Sequence, residues 1–372
     1  MATASPIPAP PGPPAGLPVQ RVTDVMASFR PSRRFKPSDS KTSVTSLDFD
    51  DTGELAIVAR DDDTLQIYNC KEGKHAKELK SQKYGVHLAR FSHHAQSIIY
   101  ASTKVDDTIR FLSTHDNSYI RYFKGHTAPV TSIALCPSSD AFISCSKDDT
   151  VRIWNLQSAN YQGMLRLHGA HLATYDPSAT VMAIGSAQTN SILLYDVRLF
   201  DKAPFATFDM MDAGQRFLGG AGADWTKLEF TNDGKSLVVS TSGSGHFVLD
   251  AFSGDLTHFC YRKAGPTGRL PPGETTSGYG EQSAETGRPA LGQGDTCVTP
   301  DGNFLIGGSG EDGLLVWDIS APAPPNQFVE PVERLPSDNG KAAIVGYNPR
   351  TNLLATADKD LILWQPDSDL ML

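Results

Sequence analysis

The chain has 372 residues, 39% hydrophobic and 20% charged, which is enough apolar material for a large buried core and too little bias for a fibrous or wholly disordered protein. A formal net charge of −9 argues against non-specific nucleic-acid binding, and no run approaches the roughly 18 apolar residues of a spanning helix. Cys70, Cys136, Cys145, Cys260 and Cys297 form no C-x-x-C pair and the first residues lack a secretory pattern, so buried free thiols inside a cell are expected rather than a zinc site or a disulfide framework.

Residues 1–20 hold seven prolines and no charged side chain, a composition that buries little, and they read as a disordered tail. Val22 to Phe35, with Val25, Ala27 and Phe29 alternating, reads as a spare strand. From Val44 onward one unit recurs: an apolar run, a turn, a second run, a polar turn with Asp, and a third run. The third copy is the clearest, from Gly125-His126 through Val130 to Leu135 and Phe142 to Ser146, then Lys147-Asp148-Asp149-Thr150-Val151-Arg152-Ile153-Trp154-Asn155. This is the Gly-His to Trp-Asp pattern of a four-stranded propeller blade.

Taking Tyr68, Leu112, Trp154, Tyr195, Leu249, Trp317 and Trp364 as equivalent positions gives seven copies at spacings of 44, 42, 41, 54, 68 and 47 residues. The fold expected is all-β, a seven-bladed WD-repeat β-propeller over residues 21–366 with a short tail at 367–372. An open ring would leave a sheet edge exposed, so Val22 to Phe35 should supply the outer strand of the blade ending at Trp364. The two long intervals contain Met210 to Asp224, dense in glycine, and a flexible insertion at 262–294, rich in Gly, Pro and Ser; both read as loops. Proteolysis is expected first at Arg262, Lys263, Arg269 or Arg288.

Asp148 stands in a tight turn whose backbone amides a short carboxylate accepts from, with His126 and Trp154 extending that bonding into the blade. Asp62, Asp106, Asp312 and Asp358 occupy the same place, which makes them turn residues rather than catalytic carboxylates. Gly308-Ser309-Gly310-Glu311-Asp312-Gly313 spells a phosphate-cradling fingerprint, yet Leu314 to Trp317 reads as a strand where a dinucleotide site needs a helix. His93-His94 has no third ligand at a suitable spacing and reads as a solvated turn. No nucleophile elbow, P-loop or zinc-protease motif occurs, so neither enzymatic activity nor a cofactor is expected.

Four stretches carry a more specific resemblance: Gln82 to Val86, Asp106 to Arg110, His115 to Phe123 and Phe200 to Phe208. From about Asp24 to Pro366 the chain resembles the WD-repeat eighty-two/Swd-two family. The resemblance implies a nuclear adaptor, monomeric within hetero-complexes and contacting neither nucleic acid nor membrane directly. Its implied partners are a SET-domain histone methyltransferase subunit of COMPASS, a subunit of the cleavage and polyadenylation factor or a type-1 phosphatase regulatory subunit, and the phosphorylated C-terminal domain of RNA polymerase II. The other classes weighed are a ubiquitin-ligase substrate receptor or other peptide-binding propeller, and a hydrolase. The chain departs from the family in its proline-rich tail, in Gly219 to Gly222 and in Arg262 to Gly294.

Propellers bind through loops around the channel. Aligning the copies places Thr45, His87, Thr131, His171 and Thr226 near one channel mouth, with Asp61, Lys147 and Glu311 preceding turn aspartates on the same side. Lys83, Tyr84, His87, Lys104 and Lys147 combine an aromatic face with cations, a composition suited to a phosphorylated peptide; a merely solvated rim with a packing tyrosine fits the same residues.

Overall fold

The computed structural model describes residues 22–39, 42–169, 171–218, 224–263, 294–322, 324–337, 342–367 and 369. Its strands form seven sheets whose order around the ring follows the chain, each built on three or four consecutive antiparallel strands; one sheet gains a parallel fifth strand and the last takes its fourth strand from the N-terminal segment. Blade 1 comprises Val44–Phe49, Leu55–Arg60, Thr64–Asn69 and Lys74–Lys80; blade 2, His87–Phe91, Ser97–Ala101, Ile109–Ser113 and Tyr119–Phe123; blade 3, Val130–Leu135, Ala141–Ser146, Thr150–Asn155 and Ser158–Arg166; blade 4, Leu172–Tyr175, Val181–Ser186, Ser191–Asp196 and Ala206–Asp209; and blade 5, Trp225–Phe230, Ser236–Thr241, Gly245–Asp250 and Leu256–Tyr261. Middle strands face a neighbouring blade on both sides, so Leu55–Arg60 and Ala141–Ser146 are buried beyond their first residue. Outermost strands face solvent, and in Lys74–Lys80 only Leu79 is buried.

The seven positions aligned from sequence are structurally equivalent. Tyr68, Leu112, Trp154, Tyr195, Leu249, Trp317 and Trp364 all lie in third strands and none is more than 4% exposed. Each is paired across to an apolar residue of the second strand, as in Trp154 with Phe142 and Trp317 with Leu305. Between blades 2 and 3 the rings of Phe123, Phe142 and Trp154 pack with centroids 4.9–6.0 Å apart, a contact that excludes water from the blade interface.

The ring closes through its N-terminal segment. Phe29–Phe35 pairs antiparallel with Leu361–Pro366, from Phe29 opposite Pro366 to Phe35 opposite Leu361. Pro31 is tolerated there because this is an edge strand, and a register shift between Pro31 and Arg33 accommodates it. The segment before Phe29 is not strand as the alternation suggested: Val22–Val25 is one helical turn and Met26–Ser28 a 3-10 turn. Val25 and Phe29 are four residues apart, so a helical turn can also bury both, here with Met26 against Trp364 and Val316.

Three further features depart from the sequence reading. Met211–Leu218, read as loop, is a helix whose Phe217 stacks on Phe259 of blade 5 at 4.5 Å. Phe328–Val329 adds a fifth, parallel strand outside blade 5, and Arg216 ties helix to strand by donating to the Gln327 side chain and the Asn326 carbonyl at 2.9 and 3.1 Å. Arg262 is not an exposed protease site. Its guanidinium is fully buried, ion-paired with Asp295 and donating at 2.9 Å to the Gly243 carbonyl. The expected tail at 1–20 and most of the insertion at 262–294 lie outside the described residues; Arg262, Lys263 and Gly294 are described.

Candidate functional site

In a four-strand meander, one face carries the second-to-third-strand turns and the blade-to-blade connections, called here the upper face. The lower face carries the remaining turns. The second-to-third-strand turns of blades 1 to 3 are built on aspartate, whereas those of blades 4 and 5, at 187–190 and 242–244, contain none. In blade 3, Asp148 accepts from the amides of Thr127 and Thr150 at 3.0 Å each and from the Thr150 hydroxyl at 2.6 Å. Its other neighbour is His126 at 3.1 Å; His126 meets the Ser144 hydroxyl at 2.7 Å, and the Trp154 indole donates to that hydroxyl at 2.8 Å.

Burial outweighs the adjacent carboxylate and holds the His126 imidazole below its ordinary pKa, while the donors and His126 together hold Asp148 at about 2 against the opposing effect of burial. Asp62 accepts from the Thr64 amide and hydroxyl at 3.1 and 2.6 Å, and Asp106 from the Thr108 amide at 3.2 Å. Carboxylates so engaged hold turns. Gly308-Ser309-Gly310-Glu311-Asp312-Gly313 connects strand Phe304–Gly308 to strand Leu314–Asp318, with no helix to receive a pyrophosphate.

At the upper channel mouth, Thr45, Thr131 and Thr226 each fall at a register shift near the head of an innermost strand. Thr131 donates to the His171 carbonyl at 2.7 Å and so links blades 3 and 4. The Thr45 and Thr226 hydroxyls and His87 Nδ1 are buried without a hydrogen-bond partner among the described residues. Burial, aided by Arg90, pulls the His87 imidazole down to about 4 and keeps it neutral, and burial likewise lowers His171. Buried polar atoms of this kind take up water or a ligand's polar groups.

Outside the mouth, the structure brings Lys83, Tyr84 and Lys104 together. The Lys104 and Thr103 amides donate to the Tyr84 carbonyl at 2.8 and 3.0 Å. Lys83 Nζ sits 5.0 Å from the Tyr84 ring centroid, and the Arg110 guanidinium lies 3.5 Å from the same centroid and 5.2 Å from that of Tyr122. Tyr119 meets Tyr84 edge-on at 5.8 Å. His87, three residues after Tyr84, is buried at the head of strand His87–Phe91, and Lys147 occupies the corresponding exposed turn of blade 3.

Sequence reasoning missed Arg110, Tyr119 and Tyr122, because it searched loops while these sit on strands. Arg110 stands directly opposite Tyr122 in the ladder, and the alternation in both strands was the available signal. Residues 71–124 hold ten Lys or Arg against five Asp or Glu, so the surroundings are basic in an acidic chain. Three features temper this: Lys104 is ion-paired with Asp63, the buried Arg110 is ion-paired with Asp106 at 2.8 Å, and burial together with Asp106 and Asp148 raises the Asp107 carboxyl, a sign of negative charge between blades 2 and 3.

The lower channel mouth opens into a cavity of about 260 Å³. Its charged groups are paired within the wall, Asp48 with Arg90 at 3.4 Å and Glu229 with Lys227 at 2.8 Å. His93 and His94 lie in the turn after strand His87–Phe91 and His94 is exposed as expected, but His93 lines the cavity and is held: its Nδ1 lies 2.8 Å from the Asp51 carboxylate of blade 1, and its Nε2 lies 2.9 and 3.2 Å from the Cys136 and Ser139 carbonyls of blade 3. Among the described residues no group of three His, Cys, Asp or Glu could hold a metal ion, and no helix is long and apolar enough to cross a membrane.

The WD domain, G-beta repeat family matches residues 29–69 and 117–155. WD repeat-containing protein 82 of Drosophila melanogaster is 35% identical over 94% of this chain and 98% of its own length. Set1 complex component swd2 of Schizosaccharomyces pombe is 33% identical over 92% of this chain and 98% of its own. COMPASS component SWD2 of Saccharomyces cerevisiae is 30% identical over 90% and 94%.

Proposed function

Since the chain belongs to the WD-repeat eighty-two/Swd-two family, we propose that it is a non-catalytic nuclear scaffold that docks a segment of a SET-domain histone H3 methyltransferase subunit. The observation that supports this best is coverage. The similarity runs over 98% of a relative named as a Set1 complex component, whereas a match limited to repeats would favour any WD-repeat binder equally. The engagement of the upper-face aspartates in turns agrees with a protein that performs no chemistry itself.

The finer reading places a second partner, a cleavage and polyadenylation or type-1 phosphatase subunit, on the same scaffold and links both to RNA polymerase II. Under it, Lys83, Tyr84, Lys104 and Lys147 receive a phosphorylated segment of the polymerase C-terminal domain. Thr45, His87, Thr131 and His171 offer polar groups to the peptide at the channel mouth. The Arg110 guanidinium, buried 3.5 Å from the Tyr84 centroid and paired with Asp106 at 2.8 Å, supports the ring from within the blade, while the exposed lysines meet the phosphate.

Titration of phosphorylated and unphosphorylated polymerase peptides against the chain and its Lys83→Glu/Lys147→Glu variant tests the patch. Phosphate-dependent, salt-sensitive binding that disappears in the variant is expected. Equal binding of both peptides refutes the patch and leaves the scaffold reading to be judged by co-elution of the chain with fragments of the SET-domain subunit.

A further inference from the structure

The lower face carries an apolar corner that neither the turn chemistry nor the upper-face reading uses. Leu199 and Phe205 lie in the connection between the third strand of blade 4, Ser191–Asp196, and its outer strand, Ala206–Asp209. Phe252 lies in the equivalent turn of blade 5, between Gly245–Asp250 and Leu256–Tyr261. These side chains are 45%, 60% and 96% exposed. The blade 5 turn packs on the outer strand of blade 4 three residues after Phe205, because a Cβ on Gly254 would fall 2.2 Å from the Phe208 ring.

Both turns are rigid. Asp250 accepts from the amides of Phe252 and Ser253 at 2.9 and 2.8 Å, the Gly254 amide returns to the Asp250 carbonyl at 2.9 Å, and Gly254 has a φ of +79°. These amides hold the Asp250 carboxyl below the usual range. In blade 4, Arg198 donates its amide to Asp196 at 2.8 Å, and the Leu199 and Lys202 amides close successive turns at 3.0 Å each. A phenylalanine that folding leaves in water, on a turn with little freedom left to lose, is built as an anchor for something else. The stretch Phe200 to Phe208 is also one that set this sequence apart, and Phe200 explains only part of it by packing where a Gly163 side chain would stand.

We propose that Leu199, Phe205 and Phe252 form a second docking surface, on the face opposite the Lys83 cluster, for a partner segment that presents apolar side chains flanked by Lys or Arg. Charge selects the occupant. The two turns hold Asp196, Asp201, Asp250 and Asp255 against Arg198 and Lys202, so basic flanks are favoured and acidic ones repelled. Binding sites on opposite faces let one propeller hold two chains at once. The inference rests on the scaffold reading only in taking its probe from the SET-domain subunit.

Peptides tiling that subunit, immobilised and probed with the full chain, test the surface. The expected result is binding by tiles that combine apolar residues with Lys or Arg, weakened roughly tenfold or more in Phe205→Ser/Phe252→Ser and unchanged in Lys83→Glu. A thermal scan of the double variant, whose altered side chains are largely in water, checks that the fold is intact. Binding that is insensitive to the double substitution, or confined to acidic tiles, or absent from every tile overturns the proposal. Failure of the scaffold reading shows separately, as failure of the intact subunit to co-elute.

Discussion

Removing the N-terminal clasp measures how much of the propeller's stability lies in ring closure. Deletion of residues 1–36 takes away Val25, Met26 and Phe29, none more than 4% exposed, and the ladder from Phe29–Pro366 to Phe35–Leu361. At about 1.5–3 kcal/mol for each fully buried apolar side chain, the lost burial alone is about 5–9 kcal/mol, an upper bound because unfolded chains already bury some surface. Folded domains are typically stable by about 5–15 kcal/mol, so the deletion should consume much of the total. The strand Leu361–Pro366 also becomes an open edge that can pair with another molecule. Thermal denaturation should place the 1–36 deletion about 10 °C or more below the full chain, using roughly 2–4 °C per kcal/mol for large domains, while deletion of 1–20 leaves the midpoint where it was. Size-exclusion chromatography should show the longer deletion associating. Equal midpoints for the two truncations would refute closure by this strand.

Three further outcomes follow from the interior. Burial pushes the His93 imidazole down, but its bonds to Asp51 and to the Cys136 and Ser139 carbonyls win and raise its pKa above 6.5. The stabilisation is therefore complete below pH 6.5 and lost as pH rises through the folded-state value. The gap in denaturation midpoint between the natural chain and His93→Ala should shrink from pH 6 to pH 9, and a pH-independent gap would contradict this. Breaking the buried Arg262–Asp295 pair with Arg262→Ala should destabilise by about 3–5 kcal/mol, and trypsin should leave Arg262 uncut in the native protein until it unfolds. All five cysteines are buried, with burial raising the Cys70 thiol to about 12 and the Cys145, Cys260 and Cys297 thiols higher still. A thiol reagent should modify none in the native state and all five in denaturant; rapid native labelling would mean the blades open readily.

The fold was legible where one residue type marks one geometry. Trp154, Trp317 and Trp364 announce third strands, Asp148 and its counterparts announce the turns before them, and the spacing between copies sets the number of blades. It was illegible where periods coincide or where tertiary packing decides. Val25 and Phe29 satisfy both a strand and a helical turn, and the helix at Met211–Leu218 owes its place to Phe259, 42 residues after Phe217 in the chain. A two-residue strand such as Phe328–Val329 has no period to detect. Sequence spacing placed Lys83, Tyr84 and Lys104 near one another, and they do lie together because the blade-to-blade loop bonds to the facing turn. Arg110 and Phe252 were passed over because exposure and stacking across strands leave no mark in loop composition.

The central claim is tested most directly by affinity purification of the tagged full chain from nuclear extract of its own organism, with mass spectrometry of the partners and a methylation assay on the eluate. The account predicts a SET-domain methyltransferase subunit in near-equal amount, with histone H3 methylation that follows that subunit when the propeller is stripped away. Recovery of the chain with a ubiquitin-ligase adaptor and without any SET-domain subunit, or methylation by the isolated propeller, would contradict it.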